Sequence, residues 1–414
     1  MTKLTLCTMI RFLTLALFLT LFGASAALAQ TKAYVTNVND GTVSVIDTKS
    51  NTVIATIPVS PAPAGIAVTP DGAFVYVTLL GGNTVAVIDA TTNTVVATVP
   101  VGVAPSAVAI TPNGAFAYVT NQFSNTVSVI NTASNTVVTT VPVGLTPVAV
   151  AITPNGAFAY VANADNATVS VINTTTNTVV ATIPGIGGPT SLAVTPNGAF
   201  VYVASLSAND VRVIDTASNT IVATIPVGVG PVGIDITPNG AFAYVTNARE
   251  CTVNGTVSVI NTATNTVTTT VSVGLCPQKL AVNPSGTSVY VPNAFSNTIS
   301  VIDTATNTVT ATIPTGHTPT TVAFPTRTPT VSLIAQVQAL IAEGVLTQKQ
   351  GDTLIKKLEG TQTKHSNGQT PAVCGQLGAF INQVNALINN GSLTTSQGQA
   401  LIDAANTIKT SLGC

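Results

Sequence analysis

Seven tyrosines, and no others, occur in this chain: Tyr34, Tyr76, Tyr118, Tyr160, Tyr202, Tyr244 and Tyr290. They step by 42 residues five times and then by 46, each inside the same phrase. A period in the low forties, built of short β-patterned runs, predicts a ring of four-stranded units, because one such sheet cannot bury its faces alone. Gly65-Ile66-Ala67-Val68 reads as an inner strand. It is closed by Pro70-Asp71-Gly72, where proline presets φ and glycine accepts φ > 0. Residues 74–78, 84–89 and 94–99 follow as second, third and outer strands. The chain enters the pattern at a second strand (33–36), and 320–324 is an inner strand with no partners after it. The expected fold is an all-β seven-bladed β-propeller. The first three strands and the last one share a blade and join the ring's ends by ladder hydrogen bonds.

Outside the ring the pattern changes. Lys3 and Arg11 precede an apolar run over 12–22, and Ala27-Leu28-Ala29 supplies a small-x-small cleavage pattern, which predicts a signal peptide over 1–29. That run is too short for a membrane span, which needs roughly 20 residues. The propeller is expected over 30–325. A helical module of two hairpins is expected over 326–414, from Leu333, Val337, Leu340 and Ile341 and their return at Phe380, Val384, Leu387 and Ile388. Each hairpin carries a Gly-x-Leu-Thr turn and a capping box, Thr347 with Gln350 and Thr394 with Gln397.

Only 7 % of residues are charged and the net charge is −1, which excludes a nucleic-acid partner needing clustered Lys and Arg. An exported chain permits disulfides. Setting Cys7 aside, Cys251 lies in a loop lengthened by four residues and Cys276 in the next inter-blade loop of the same rim. That pairs Cys251 with Cys276 and leaves Cys374 with Cys414.

The phrases Tyr34-Val35-Thr36-Asn37, Tyr118-Val119-Thr120-Asn121 and Tyr244-Val245-Thr246-Asn247 resemble the signature of the YVTN family of bacterial and archaeal β-propeller repeat proteins, over about 31–325. Tyr76-Val77-Thr78-Leu79, Tyr202-Val203-Ala204-Ser205 and Tyr290-Val291-Pro292-Asn293 depart from it. The resemblance implies a seven-bladed ring, often secreted or in surface layers, and brings no catalytic residue set. The tail resembles the FIMAH-like helical C-terminal modules of bacterial secreted proteins.

Positions identical in every blade serve the blade, and a site would sit where the repeat breaks. The Asn column (Asn51, Asn93, Asn135, Asn177, Asn219, Asn265, Asn307) is expected to close its own Asx-type turns, and the Asp/Asn column beginning at Asp47 is likewise structural. The breaks gather in one sector: Asp235, in a column otherwise of alanine, with Arg249, Glu250 and Lys279. Asp235 is expected to pair with Arg212 or to hold a water or cation in the channel. Leu79, Leu80, Phe123, Leu206 and Phe295 place apolar tips on the same rim, as a contact surface or packed inward.

His317 on the rim and His365 in the tail are too far apart for a zinc or copper site. No nucleophile elbow, Gly-rich phosphate loop or Cys-x-x-Cys-His sequence occurs. The reading is a secreted or cell-surface, non-catalytic binding platform for an extracellular protein or polysaccharide, with Asp235, Arg249, Glu250, Lys279, His317, Phe123 and Phe295 at its binding face. No cofactor is expected, and a metal is left open. The alternative is a channel-mouth enzyme of lactonase or dehydrogenase type leaning on Asp235, His317, Lys279 and a divalent cation held by oxygen ligands.

Overall fold

Seven four-stranded antiparallel sheets follow one another around a ring in the computed structural model. It describes residues 32–248, 251–325, 333–334, 336–337, 340–341, 344–366, 370–411 and 414. The segment 1–29, the linker after Pro325 and the pair Arg249–Glu250 lie outside the described residues. Blade 1 joins Pro319–Ala323 to Lys32–Asn37, Thr42–Asp47 and Thr52–Pro58. Blades 2 to 6 have inner strands starting at Pro63, Pro105, Pro147, Pro189 and Pro231, and blade 7 has the short inner strand Ala281–Val282. The ring closes in the expected register, Tyr34 opposite Ala323, Val35 opposite Val322 and Thr36 opposite Thr321.

The core lies between blades. Second and third strands are buried on both faces because each blade is sandwiched between two others, so they read as nearly continuous Val, Ile and Tyr. Tyr34, Val43 and Val45 of blade 1 thus pack against Ile66, Val68, Val75 and Val77 of blade 2. Outer strands such as Thr136–Pro142 alternate exposed and half-buried residues.

The tyrosine, threonine and asparagine of the repeated phrase each have a separate bond to make. Tyr118 Oη donates to Asn177 Oδ1 of the next blade at 2.7 Å. The same clasp joins Tyr76 to Asn135, Tyr160 to Asn219, Tyr202 to Asn265, Tyr244 to Asn307 and Tyr290 to Asn51. Burial pushes the Tyr118 phenol up to about 12, which keeps it a donor. Thr120 Oγ1 accepts the N–H of Ala107 on the inner strand. Asn121 donates to Thr126 and Ser128 and accepts the N–H of Gly102. A Cβ on Gly102 would stand 2.6 Å from Asn121 Cγ, so that loop position requires glycine.

This corrects the expected role of the Asn column. Its members sit at φ 52–55°, where Asn is tolerated best after Gly, and their side chains reach to the preceding blade. The Asx turns belong to the Asp/Asn column instead: Asp89 Oδ1 accepts the N–H groups of Thr91 and Thr92. One clasp of the seven is missing. Tyr34 makes no such bond, Asn93 Oδ1 is buried without a partner, and Lys32 Nζ donates to Ala90 O at that boundary. Tyr118→Phe is therefore expected to lower stability by about 1–2 kcal/mol by leaving Asn177 unpaired, and Tyr34→Phe by less than about 0.5 kcal/mol. Urea midpoints of the two variants measure the difference, and equal losses would show that the clasp contributes nothing.

The tail contains α1 (Gln348–Ser366), α2 (Thr370–Asn389) and α3 (Thr395–Ser411), with further helical residues between 333 and 341. These helices are longer than the short hairpin arms expected, and His365 lies within α1 rather than in a linker. Both capping boxes form: Thr347 N–H donates to Gln350 and Thr394 N–H to Gln397. Gly351 and Gly398 let helices meet closely, since a Cβ there would strike Ile341 and Ile388.

Candidate functional site

One face of the ring gathers the loops between second and third strands and the loops that lead from blade to blade. Backbone bonds between them, such as Gln122 N to Ala104 O and Val38 N to Thr318 O, recur around the ring. A second tie is made by side chains. The Val103 and Leu275 N–H groups donate to the hydroxyls of Ser124 and Ser296, and that of Leu145 donates to Asn166 Oδ1. At the junction of blades 7 and 1 the same two positions hold His317 and Asp40. The His317 N–H donates to Asp40 Oδ2 at 2.7 Å, and His317 Nδ1 stands 2.7 Å from Asp40 Oδ1.

Two loop positions 277 residues apart in sequence therefore meet in one pair. The Asp40 position varies from blade to blade (Gly82, Ser124, Asn166, Ala208, Glu250, Ser296), whereas His317 puts an imidazole where the other blades have Pro, Val, Leu or Gly. These bonds hold the Asp40 carboxyl below its usual range, the backbone N–H of His317 contributing most. The His317 side chain is 69 % exposed, so the pair adds little to stability, but the imidazole is open to approach. Beside it lies a cleft of 430 Å³ lined by Asp40, Thr42, Ser44, Val53 and Thr56 of blade 1 and by Pro314, Thr315 and Gly316 at the end of blade 7. No spacing in the sequence singles out Asp40, whose loop position varies from blade to blade. Only the closure of the ring, which sets the blade 1 loop beside the last inter-blade loop, could have pointed to it.

Lys279 bars the channel mouth. Its N–H bonds Thr320 O at 3.0 Å, which places it in the same sector as His317. Its Nζ donates to Val148 O at 2.9 Å, on the inner strand of blade 4 (Pro147–Ile152). Blade 4 is three blades away, so the side chain crosses the channel. Burial pushes this ammonium down to about 8.

Asp235 stands on the inner strand of blade 6 (Pro231–Ile236) and has no ion pair among the described residues. Its Oδ1 accepts the N–H of Ile236 and its Oδ2 that of Val282, both at 2.8 Å. Arg212 is held instead by Asp210, two residues away on its own strand, with contacts of 2.8 and 3.0 Å. This corrects the expected Arg212–Asp235 pair. Among the described residues no three His, Cys, Asp or Glu side chains converge.

Burial raises Asp235 to about 6, its N–H partners pulling the other way. An acid raised above its unfolded value adds stability below pH ~4 and loses it as pH rises through ~6. Relative to Asp235→Asn, the wild type is expected to lose about 2–3 kcal/mol between pH 4 and 7. Urea midpoints at both pH values measure this, and a constant difference between the two proteins would contradict it.

Cys251 and Cys276 are bonded, at φ 56° and 54°. In four other blades the matching left-handed residues are tied by a hydrogen bond, as Asn125 Oδ1 accepts the N–H of Thr146. The disulfide stands in its place. Of the apolar tips, Leu79 is buried and Leu80 half-buried, whereas Phe123, Leu206 and Phe295 are exposed. Both expected arrangements therefore occur, at different blades.

Two family models match the ring. One, described as lactonase, 7-bladed beta-propeller, matches residues 28–140 and 84–183. The other, a YNCE-like beta-propeller, matches 158–240 and 236–334. No curated protein matches. Among solved structures, Kuenenia stuttgartiensis hydrazine synthase is similar at TM-score 0.62 and 22 % identity, over 67 % of this chain and 93 % of that one. A functionally unknown protein of Desulfotomaculum acetoxidans gives TM-score 0.64 and 19 % identity, over 72 % and 100 %. A candidate 6-phosphogluconolactonase of Bacteroides uniformis gives 0.60 and 19 %, over 71 % and 100 %. At these identities the likeness concerns the fold. The lactonase match overturns the expectation of a non-catalytic binding platform.

Proposed function

We propose that the ring is a hydrolase of lactonase type whose reacting centre is His317 with Asp40. One observation carries this reading: an imidazole found at this loop position in no other blade meets a carboxylate in a hydrogen-bonded pair at the lip of an open cleft. A carboxylate only accepts, so Nδ1–H donates to Asp40 and Nε2 keeps its lone pair. That nitrogen removes a proton from water as the water oxygen bonds to the lactone carbonyl carbon. The ring C–O bond then breaks, and the imidazolium returns the proton to the departing alkoxide, leaving a hydroxy acid. Asp40 orients the imidazole and stabilises its charged form.

The lactonase match, which spans Asp40, supports the reaction class. Export to an oxidising compartment is supported by the signal-like start, the two disulfides and the YVTN-like phrase, and no helix among the described residues is long and apolar enough to cross a membrane. Proton release from δ-lactones tests the proposal. A rate with protein equal to the buffer rate would overturn it.

A further inference from the structure

We propose that the cleft between blades 7 and 1 seats the substrate and selects a neutral, hydroxyl-bearing lactone over a phosphorylated or carboxylated one. This names the substrate class of the same site and rests on the hydrolase reading. The cleft's 430 Å³ falls within the range of roughly 300–1,000 Å³ usual for small-molecule sites. Its lining sets the hydroxyls of Thr42, Ser44, Thr56 and Thr315 and the Asp40 carboxylate beside the apolar Val53 and Pro314, with no cationic side chain. Thr42 and Ser44 each accept a hydrogen bond from Asn37 Nδ2, at 3.1 and 2.8 Å, which leaves their own O–H groups free to donate. Donating hydroxyls beside an accepting carboxylate match the mixed donors and acceptors of a sugar-derived ring. An anionic group would meet Asp40 with no cation in the lining to offset it, and burying an unpaired charge there costs more than losing a neutral contact.

The molecule carries its own control. A cleft of 350 Å³ lies at the same place between blades 6 and 7, with Thr298, Ser300 and Thr312 where the first has Thr42, Ser44 and Thr56. There Ser296 takes the position of Asp40, and Leu275 that of His317. The hydroxyl-lined shape is thus a by-product of the repeat at both junctions, and only one junction has the reacting pair and the acceptor carboxylate.

The test uses the full oxidised chain, D-glucono-1,5-lactone, its 6-phosphate, and the unreactive D-glucono-1,5-lactam as a binding probe. Thr56→Trp fills the first cleft and Thr312→Trp the second. Both positions lie on exposed faces of outer strands, where tryptophan is well tolerated. Thr56→Trp is expected to weaken lactam binding and raise KM by about tenfold or more, while Thr312→Trp changes neither. The neutral lactone is expected to exceed its phosphate by at least about tenfold in kcat/KM. Equal effects of the two variants, preference for the phosphate, or no lactam binding would overturn the inference. Hydrolysis that depends on His317 but not on Thr56 would leave the hydrolase reading standing alone. Cleft-dependent lactam binding without any lactone hydrolysis would do the reverse.

Discussion

His317→Ala is expected to lower kcat/KM for lactone hydrolysis by about 10²–10³-fold, the scale of a lost general base. The urea midpoint should not move. The imidazole is largely exposed, and the backbone N–H of residue 317 keeps its 2.7 Å bond to Asp40 whatever the side chain. A loss of activity without a loss of stability would therefore isolate chemistry from folding. Asp40→Asn keeps the shape but no longer holds the Nδ1–H tautomer, and is expected to lose about 10²-fold in kcat with little change in KM. Initial rates over pH 5 to 9 check both variants. Wild-type rates in His317→Ala would remove the proposed centre.

The second large effect is in the tail. Opening Cys374–Cys414, by Cys374→Ser with Cys414→Ser, is expected to cost the helical module about 3–4 kcal/mol. The bridge closes a sequence separation of 40 residues and ties α2 to Cys414, three residues beyond the end of α3. The module's core is one small cluster around Leu333, Val337, Leu358, Phe380 and Leu401, and domains of this size rarely hold a wide margin without a covalent tie. Circular dichroism at 222 nm during urea titration should show the helices melting at lower denaturant, with the β signal unmoved. Opening Cys251–Cys276 should leave the helical transition in place. An unchanged helical midpoint in the Cys374→Ser, Cys414→Ser protein would show that the helices carry the module unaided.

How much was legible in the sequence differs between the ring and its site. The tyrosine frame, the turn residues and the unpartnered inner strand at the end are sufficient for seven blades and for the closure of strand 320–324 on strand 33–36. These depend on local pattern and on counting strands. The two disulfides followed from placing loops on one rim. The Asn column was read as local because an amide beside a turn ordinarily bonds its own backbone. At φ near 53° it serves the neighbouring blade instead. For Asp235 the sequence suggests Arg212, a water or a cation as partner, and the structure gives it two backbone N–H groups.

By itself the sequence determined the repeat, its length, the order of strands and the columns that every blade shares, because these follow from periodicity and turn chemistry. Only the tertiary structure decided which departures from those columns act together. Asp40 and His317 are 277 residues apart, and Lys279 bonds a carbonyl 131 residues away, because ring closure and a shared channel bring distant loops into contact. A side chain's reach across space leaves no trace in its spacing along the chain. For that reason the fold could be read in advance, and the reacting pair could not.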